Sequence, residues 1–168
     1  LVRPPRIKQA ITLSNFMFSE PLGLEMIYSV FEQNHTVEIF DMMIEKLSIE
    51  EKIRDFEPDR VGITSLCIDV LKVIELSNKI KACNSNIITF VGGTQALLSP
   101  ESFFEPSIDY VFNYTTKDNL IKFLNNDKSI EGVYQKENSF KDSFPKKNNE
   151  YMLPNRASTL KYRAYYSY

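Results

Sequence analysis

Residues 86–93 read NIITFVGG, and this short run decides the fold. Asn86 to Val91 is dominated by β-branched and aromatic side chains, the composition of a buried strand. Gly92 and Gly93 follow at once, and two glycines let a backbone turn sharply as it leaves a sheet. Upstream, Ile68, Leu71, Ile74, Leu76 and Ile80 recur at the spacing of an amphipathic helix. Before that helix lies another strand-like run, RVGIT (residues 60–64). Ser48 and Glu51 form a capping-box pattern that opens a further helix carrying Ile49, Ile53 and Phe56, which stops before Pro58.

The same alternation continues in both directions. HTVEIF (residues 35–40) reads as a strand. Pro21 sits where a helix accepts proline, in its first turn, and Leu22, Leu24, Ile27, Tyr28, Val30 and Phe31 continue that helix towards Asn34. QAITL (residues 9–13) reads as the first strand, followed by the loop SNFMFSE (residues 14–20). Downstream, Ser99-Pro100-Glu101 starts a short helix, IDYVF (residues 108–112) is the fifth strand, and residues 119–124 lie in a fifth helix. Strands alternating with helices predict βαβ units, and right-handed crossovers leave few topologies. The expected fold is α/β: a doubly wound five-stranded parallel sheet, flavodoxin-like, in the order 2-1-3-4-5.

After Asn125 the composition turns polar. The expected division is a domain over residues 1–126 and an appendage over residues 127–168. In the latter, Val133, Tyr134 and Phe140 suggest a small hairpin, and residues 146–149 (KKNN) a solvated linker. The chain starts without Met and stops in an aromatic run, so it is expected to be a piece of a longer protein.

The totals narrow the function classes. The 168 residues are 43% hydrophobic and 25% charged, enough to bury a core without covalent staples. The formal net charge of −2 argues against a nucleic-acid partner, which calls for a basic face. Two cysteines, Cys67 and Cys83, make neither a disulfide framework nor a metal cage, which suggests a reducing, cytoplasmic setting. No stretch approaches the roughly 20 apolar residues of a membrane span. No secretory leader is visible.

In an open α/β sheet, ligands bind outside the carboxyl ends of the strands where the strand order reverses. Three loops face that crevice: residues 14–20, 64–68 and 92–99. Gly92 and Gly93 either admit a ligand closely or merely make the turn. Thr64 and Ser65 offer hydroxyls to a ligand or cap the next helix, capping being the better reading of the pair alone. Phe16, Met17 and Phe18 either line a flat apolar ligand or fold back onto the core. His35 begins the second strand, at the opposite edge from the crevice, and reads as a surface or capping residue. Cys67 lacks a basic partner and reads as a buried, inert thiol. There is no GxGxxG after the first strand, no GxxxxGK[ST] and no HExxH. One histidine builds neither the usual zinc sets nor a choice of nucleophilic triads.

Taken in order, PLGLEMIYSVFEQNHTVEIFD (residues 21–41), FEPDRVGITSLC (56–67), ITFVGGTQALLSPESFF (88–104) and IDYVFNYTTKDNLIKFL (108–124) resemble the N-terminal cobalamin-binding domain of cobalamin-dependent radical S-adenosylmethionine enzymes. The resemblance covers about the first three quarters of the chain. It implies cobalamin with its corrin over the crevice and its nucleotide tail running into the sheet edge. By position it implies that Pro21, Leu22 and Gly23 start the first helix beside the tail. Ser65-Leu66 then matches a serine-containing turn, Gly92-Gly93-Thr94 the glycine turn that admits the tail, and Asn113-Tyr114 the loop after the fifth strand. The DxHxxG motif that supplies a cobalt ligand in related enzymes is absent, so no histidine of this chain is expected on cobalt. A GEGE-like stretch after the fifth strand is replaced by Asn113-Tyr114-Thr115-Thr116. No CxxxCxxC occurs, so S-adenosylmethionine and a 4Fe–4S cluster would belong to a catalytic domain outside this chain.

The expectation is therefore a cobalamin-binding module of a radical methyltransferase or cyclase-type enzyme. Phe16, Met17 and Phe18 would face the corrin, and Ser65, Gly92, Gly93 and Thr94 would contact the tail. The alternative is a cofactor-free scaffolding domain that kept the fold. An enzyme acting alone on a small ligand is disfavoured by the poverty of acid–base groups near the crevice.

Overall fold

The computed structural model describes residues 1–5, 18–135 and 151–166. The strands are β1 (Val2–Arg3), β2 (Phe40–Asp41), β3 (Arg60–Thr64), β4 (Ile88–Gly92), β5 (Tyr110–Phe112) and β6 (Val133–Gln135). The α-helices are α1 (Leu22–Phe31), α2 (Ile49–Phe56), α3 (Val70–Cys83), α4 (Thr94–Leu98) and α5 (Lys117–Leu124). Short 3₁₀ turns cover Cys67–Asp69, Pro100–Phe103 and Arg156–Tyr162. One sheet runs β2-β1-β3-β4-β5-β6. The first five strands are parallel, in the order expected. The sixth is antiparallel to β5, with Val111 opposite Tyr134. Val133 and Tyr134 thus extend the main sheet, and Phe140 lies outside the described residues.

The place between β2 and β3 that the sequence suggests for residues 9–13 is filled by Val2–Arg3; residues 9–13 lie outside the described residues. Pro4 and Pro5 follow at once and have no N–H to continue a ladder, which keeps β1 to two residues. Its partner β2 shrinks accordingly to Phe40–Asp41, not the six residues 35–40.

Side chains along the central strands alternate between two cores, as period-2 geometry requires. Val61, Ile63, Val91 and Val111 pack with Ile49 and Ile53 of α2, and with Val73, Leu76 and Ile80 of α3. Phe90 and Phe112 pack on the other face with Val30 and Phe31 of α1 and Leu120 and Phe123 of α5. That second core is a ring cluster: the Phe90 centroid lies 4.9 Å from Phe123, 5.7 Å from Phe112 and 6.1 Å from Phe31. The Ser48–Glu51 capping box forms reciprocally, with Glu51 N donating to Ser48 Oγ at 3.2 Å and Ser48 N to Glu51 Oε2 at 2.8 Å.

Candidate functional site at the carboxyl ends of the central strands

The β3–β4 ladder runs without interruption through five pairs and ends with Thr64 beside Gly92. Ser65, fully buried, ties the two exits together. Its N–H and its Oγ both donate to Gly92 O, at 2.8 and 2.9 Å. Its own carbonyl accepts from Gln95 N at 3.3 Å. The Ser65 hydroxyl therefore bridges two loops instead of capping the following helix.

Gly92 and Gly93 do different work. Gly93 has φ 105° and ψ −174°, a backbone state that only glycine adopts readily. A Cβ there would stand 2.6 Å from Ser65 O and 2.8 Å from Ser65 N. A Cβ on Gly92 would meet only ordinary contacts, Phe112 Cβ at 3.7 Å and Thr115 Oγ1 at 3.9 Å. Gly93 makes the turn, and Gly92 keeps the space in front of Phe112 open. Residues 94–98, expected within a loop, form helix α4 once Gly93 has reversed the chain.

That space is the mouth of a cavity of about 270 Å³ between the sheet and helices α1 and α5. Its walls include Leu24 and Ile27 of α1, Phe90, Phe112, Leu120, and Met152 from the C-terminal segment. Gly62 matters here: a Cβ would lie 2.2 Å from the far end of the Phe90 ring, so its absence makes room for that ring. Thr64 and Thr115 bring the hydroxyls of the lining, both beside the glycine turn. Beyond the carboxyl ends of β3 and β4 an apolar lip is exposed, with Leu66, Ile68, Leu71, Leu97 and Leu98. Cys67 is on this lip and exposed, contrary to the buried thiol expected, because its 3₁₀ turn stands out beyond the end of β3.

The C-terminal segment packs across the carboxyl ends of β1 and β2. Tyr166 OH donates to Asp41 Oδ2 at 3.0 Å, beside the Arg3–Asp41 ion pair at 3.2 Å. Tyr162 OH donates to Ile39 O at 3.0 Å and contacts Glu45. Thr159 Oγ1 donates to Glu25 Oε1 of α1, and Glu25 Oε2 is buried with no hydrogen-bond partner among the described residues. Burial raises the Glu25 carboxyl pKa against the opposing pull of the Thr159 hydrogen bond. Burial, then the neighbouring Asp41 charge, pushes the Tyr166 phenol up as well.

The residues singled out from the sequence fall into groups. Gly23, Gly92 and Gly93 line the cavity, and Ser65 sits directly behind Gly93. Leu66 and Thr94 are exposed at the lip. Pro21 is buried at the start of α1, its carbonyl accepting from Leu24 N at 2.8 Å. Asn113 is turned towards α4, its Nδ2 donating to Leu97 O at 3.1 Å and Ala96 O at 3.3 Å. Phe18 pairs with Tyr166 in an isolated bridge, while Phe16 and Met17 lie outside the described residues. His35 lies with Pro58, Asp59 and Arg60 at a separate cavity of about 670 Å³, at the amino end of β3. Missed from the sequence were the deep walls: Leu24, Ile27, Phe90, Phe112, Leu120 and Met152. The available clue was Gly62 between Val61 and Ile63, a missing side chain inside a buried strand.

Among the described residues no cluster of three metal-ligating side chains occurs, and no helix is long and apolar enough to cross a membrane. The family model described as B12 binding domain matches residues 10–120. An uncharacterized methyltransferase of Pyrococcus horikoshii is 29% identical over an alignment of 141 residues that covers 79% of this chain. The chain spans only 30% of that relative's length.

Proposed function

The chain belongs to the B12-binding domain family, with cobalamin as the ligand, and on that premise we propose that it is the corrinoid-holding module of a radical S-adenosylmethionine enzyme. Methyltransferase or cyclase chemistry would be completed by a catalytic domain carrying S-adenosylmethionine and a 4Fe–4S cluster. The name of the Pyrococcus relative supports the methyltransferase arm, and its greater length leaves room for a second domain.

One observation carries the reading: an apolar cavity of about 270 Å³ opens beside a glycine turn at the switch point of the sheet. Sites for whole drug-sized ligands run to roughly 300–1,000 Å³, so this one suits a single flat group instead of a complete corrinoid. The nucleotide tail of cobalamin would enter past Gly92 and Gly93, with Ser65 fixing the turn from behind and Thr64 and Thr94 near the mouth. The corrin would rest outside, against Leu66 and Phe18. Bound there, the cofactor would supply the alkyl-transfer chemistry. The protein's own part is to hold the tail, exclude water from the crevice and leave the outer face free for the catalytic domain. No histidine occurs in residues 14–20 and His35 lies at the opposite edge, so this chain would offer no histidine to cobalt.

Mixing the protein with hydroxocobalamin and desalting tests the reading. A co-eluting visible spectrum in stoichiometric amount is expected. Folded protein that elutes colourless overturns it and favours a scaffolding domain that kept the fold without the cofactor.

A further inference from the structure

We propose that residues 151–166 are a strap that completes the ligand cavity and closes together with ligand binding. Met152 is the wall residue it supplies, and Asn155 and Thr159 position it. This rests on the cobalamin reading above. The family match ends at residue 120, and among the described lining residues Met152 alone lies beyond that point. The segment turns this side chain inward selectively. Tyr151 and Leu153 on either side are exposed, whereas Met152 packs against the core that holds Phe90, Phe112 and Phe123. Three residues on, Asn155 pins the strap to α1. Its N–H donates to Glu25 O at 3.2 Å and its Nδ2 to Glu32 Oε1 at 2.7 Å. Glu25 and Glu32 stand about two turns apart, so the strap lies along that helix. Asn155 Oδ1 accepts from Ala157 N at 3.0 Å and closes the turn that leads to Thr159. Thr159 then donates to the Glu25 carboxyl, and Arg156 pairs with Glu20 at 3.4 Å.

The composition of these contacts lets the strap open without the domain unfolding. It buries little apolar surface, since Tyr151, Leu153, Leu160 and Tyr165 are all more than half exposed. With the strap closed, the Glu25 carboxyl is fully buried, and one of its oxygens has no hydrogen-bond partner among the described residues. Burying such a group costs free energy, which opposes closure. Segments with few buried apolar contacts open locally, well below the free energy of global unfolding. A ligand group that touches Met152 meets it only in the closed form. Binding and closure therefore favour each other by the same factor.

Hydrogen exchange read by mass spectrometry on the full chain, with and without hydroxocobalamin, tests this. Saturating hydroxocobalamin is expected to slow exchange in residues 155–166 at least about fivefold, the low end for coupling between two sites. In Met152→Ala that slowing disappears and affinity falls about fivefold, while the melting temperature stays close to the parent's. Asn155→Ala keeps the wall residue but loses its anchor, and it releases hydroxocobalamin faster than the parent. Leu153→Ala, at an exposed position, behaves as the parent does. The exchange comparison on the parent needs no variant, so it decides the matter even where a substitution prevents folding. Exchange in residues 155–166 that ignores bound hydroxocobalamin overturns the strap and leaves the cobalamin reading intact. So does folded Met152→Ala protein that binds as tightly as the parent. Folded parent protein that binds no hydroxocobalamin overturns the cobalamin reading, and the strap with it.

Discussion

Replacing Gly93 with alanine tests the architecture of the turn most sharply. The backbone strain of φ 105° for a residue with a side chain is worth about 1–3 kcal/mol. The new methyl group also falls 2.6 Å from Ser65 O and 2.8 Å from Ser65 N, both main-chain atoms. Ser65 has little room to retreat. Its N–H and Oγ hold Gly92 O, and its carbonyl holds Gln95 N, so any shift strains three hydrogen bonds worth about 1 kcal/mol each. A total loss of about 3 kcal/mol is expected, since part of each contribution is relieved by relaxation. For a domain of this size that lowers Tm by about 6–12 °C. Gly92→Ala is the internal control. Its methyl group meets nothing closer than 3.7 Å, so stability stays within about 1 kcal/mol of the parent. Thermal unfolding followed by circular dichroism reads both variants. The reasoning fails if Gly93→Ala melts within about 2 °C of the parent, or if the two glycines prove equally sensitive.

Phe90→Ala removes the ring that links Phe31, Phe112 and Phe123 and fills the space over Gly62, and a loss of about 3–5 kcal/mol in urea unfolding is expected. A loss below about 1 kcal/mol would mean that the cluster collapses to fill the void. Glu25→Gln probes a buried carboxyl whose pKa burial raises above the ordinary 4.5. Between the ordinary and the raised value, folded protein keeps a proton that unfolded protein has released, so this group's contribution to stability falls as pH rises through that window. The stability of Glu25→Gln relative to the parent should therefore climb with pH across the window and level off above it. A difference curve that is flat or falling there rules out the buried neutral carboxyl.

Strand order and most helices were legible because each is specified locally. The Ser48–Glu51 pair writes its capping box into four residues, and the βαβ rhythm of residues 21–124 leaves few alternatives to the observed order. The first strand was not legible, because Val2–Arg3 has no period of its own and exists through its neighbours Phe40 and Ile63. The strand-like composition of residues 9–13 was the stronger local pattern. Helix α4 hid behind Gly93, whose positive φ starts it without a capping side chain. At the site, the glycine turn could be read from sequence, but its division of labour could not. Which glycine faces backbone and which faces open space depends on Ser65 and Phe112, residues 28 positions before and 19 after Gly93. The role of Ser65 as a bridge between loops likewise needs the partner strand in place.

The contacts of Tyr162, Thr159 and Tyr166 with β2 and α1 span 121 to 134 residues of chain. Loop closure over such separations is slow, and pairings of this kind are late events in folding. On a ribosome, Asp41 and Glu25 would emerge long before the hydroxyls that satisfy them. The β2 edge would therefore wait, solvated and half-formed, until the aromatic end of this sequence arrives to close it.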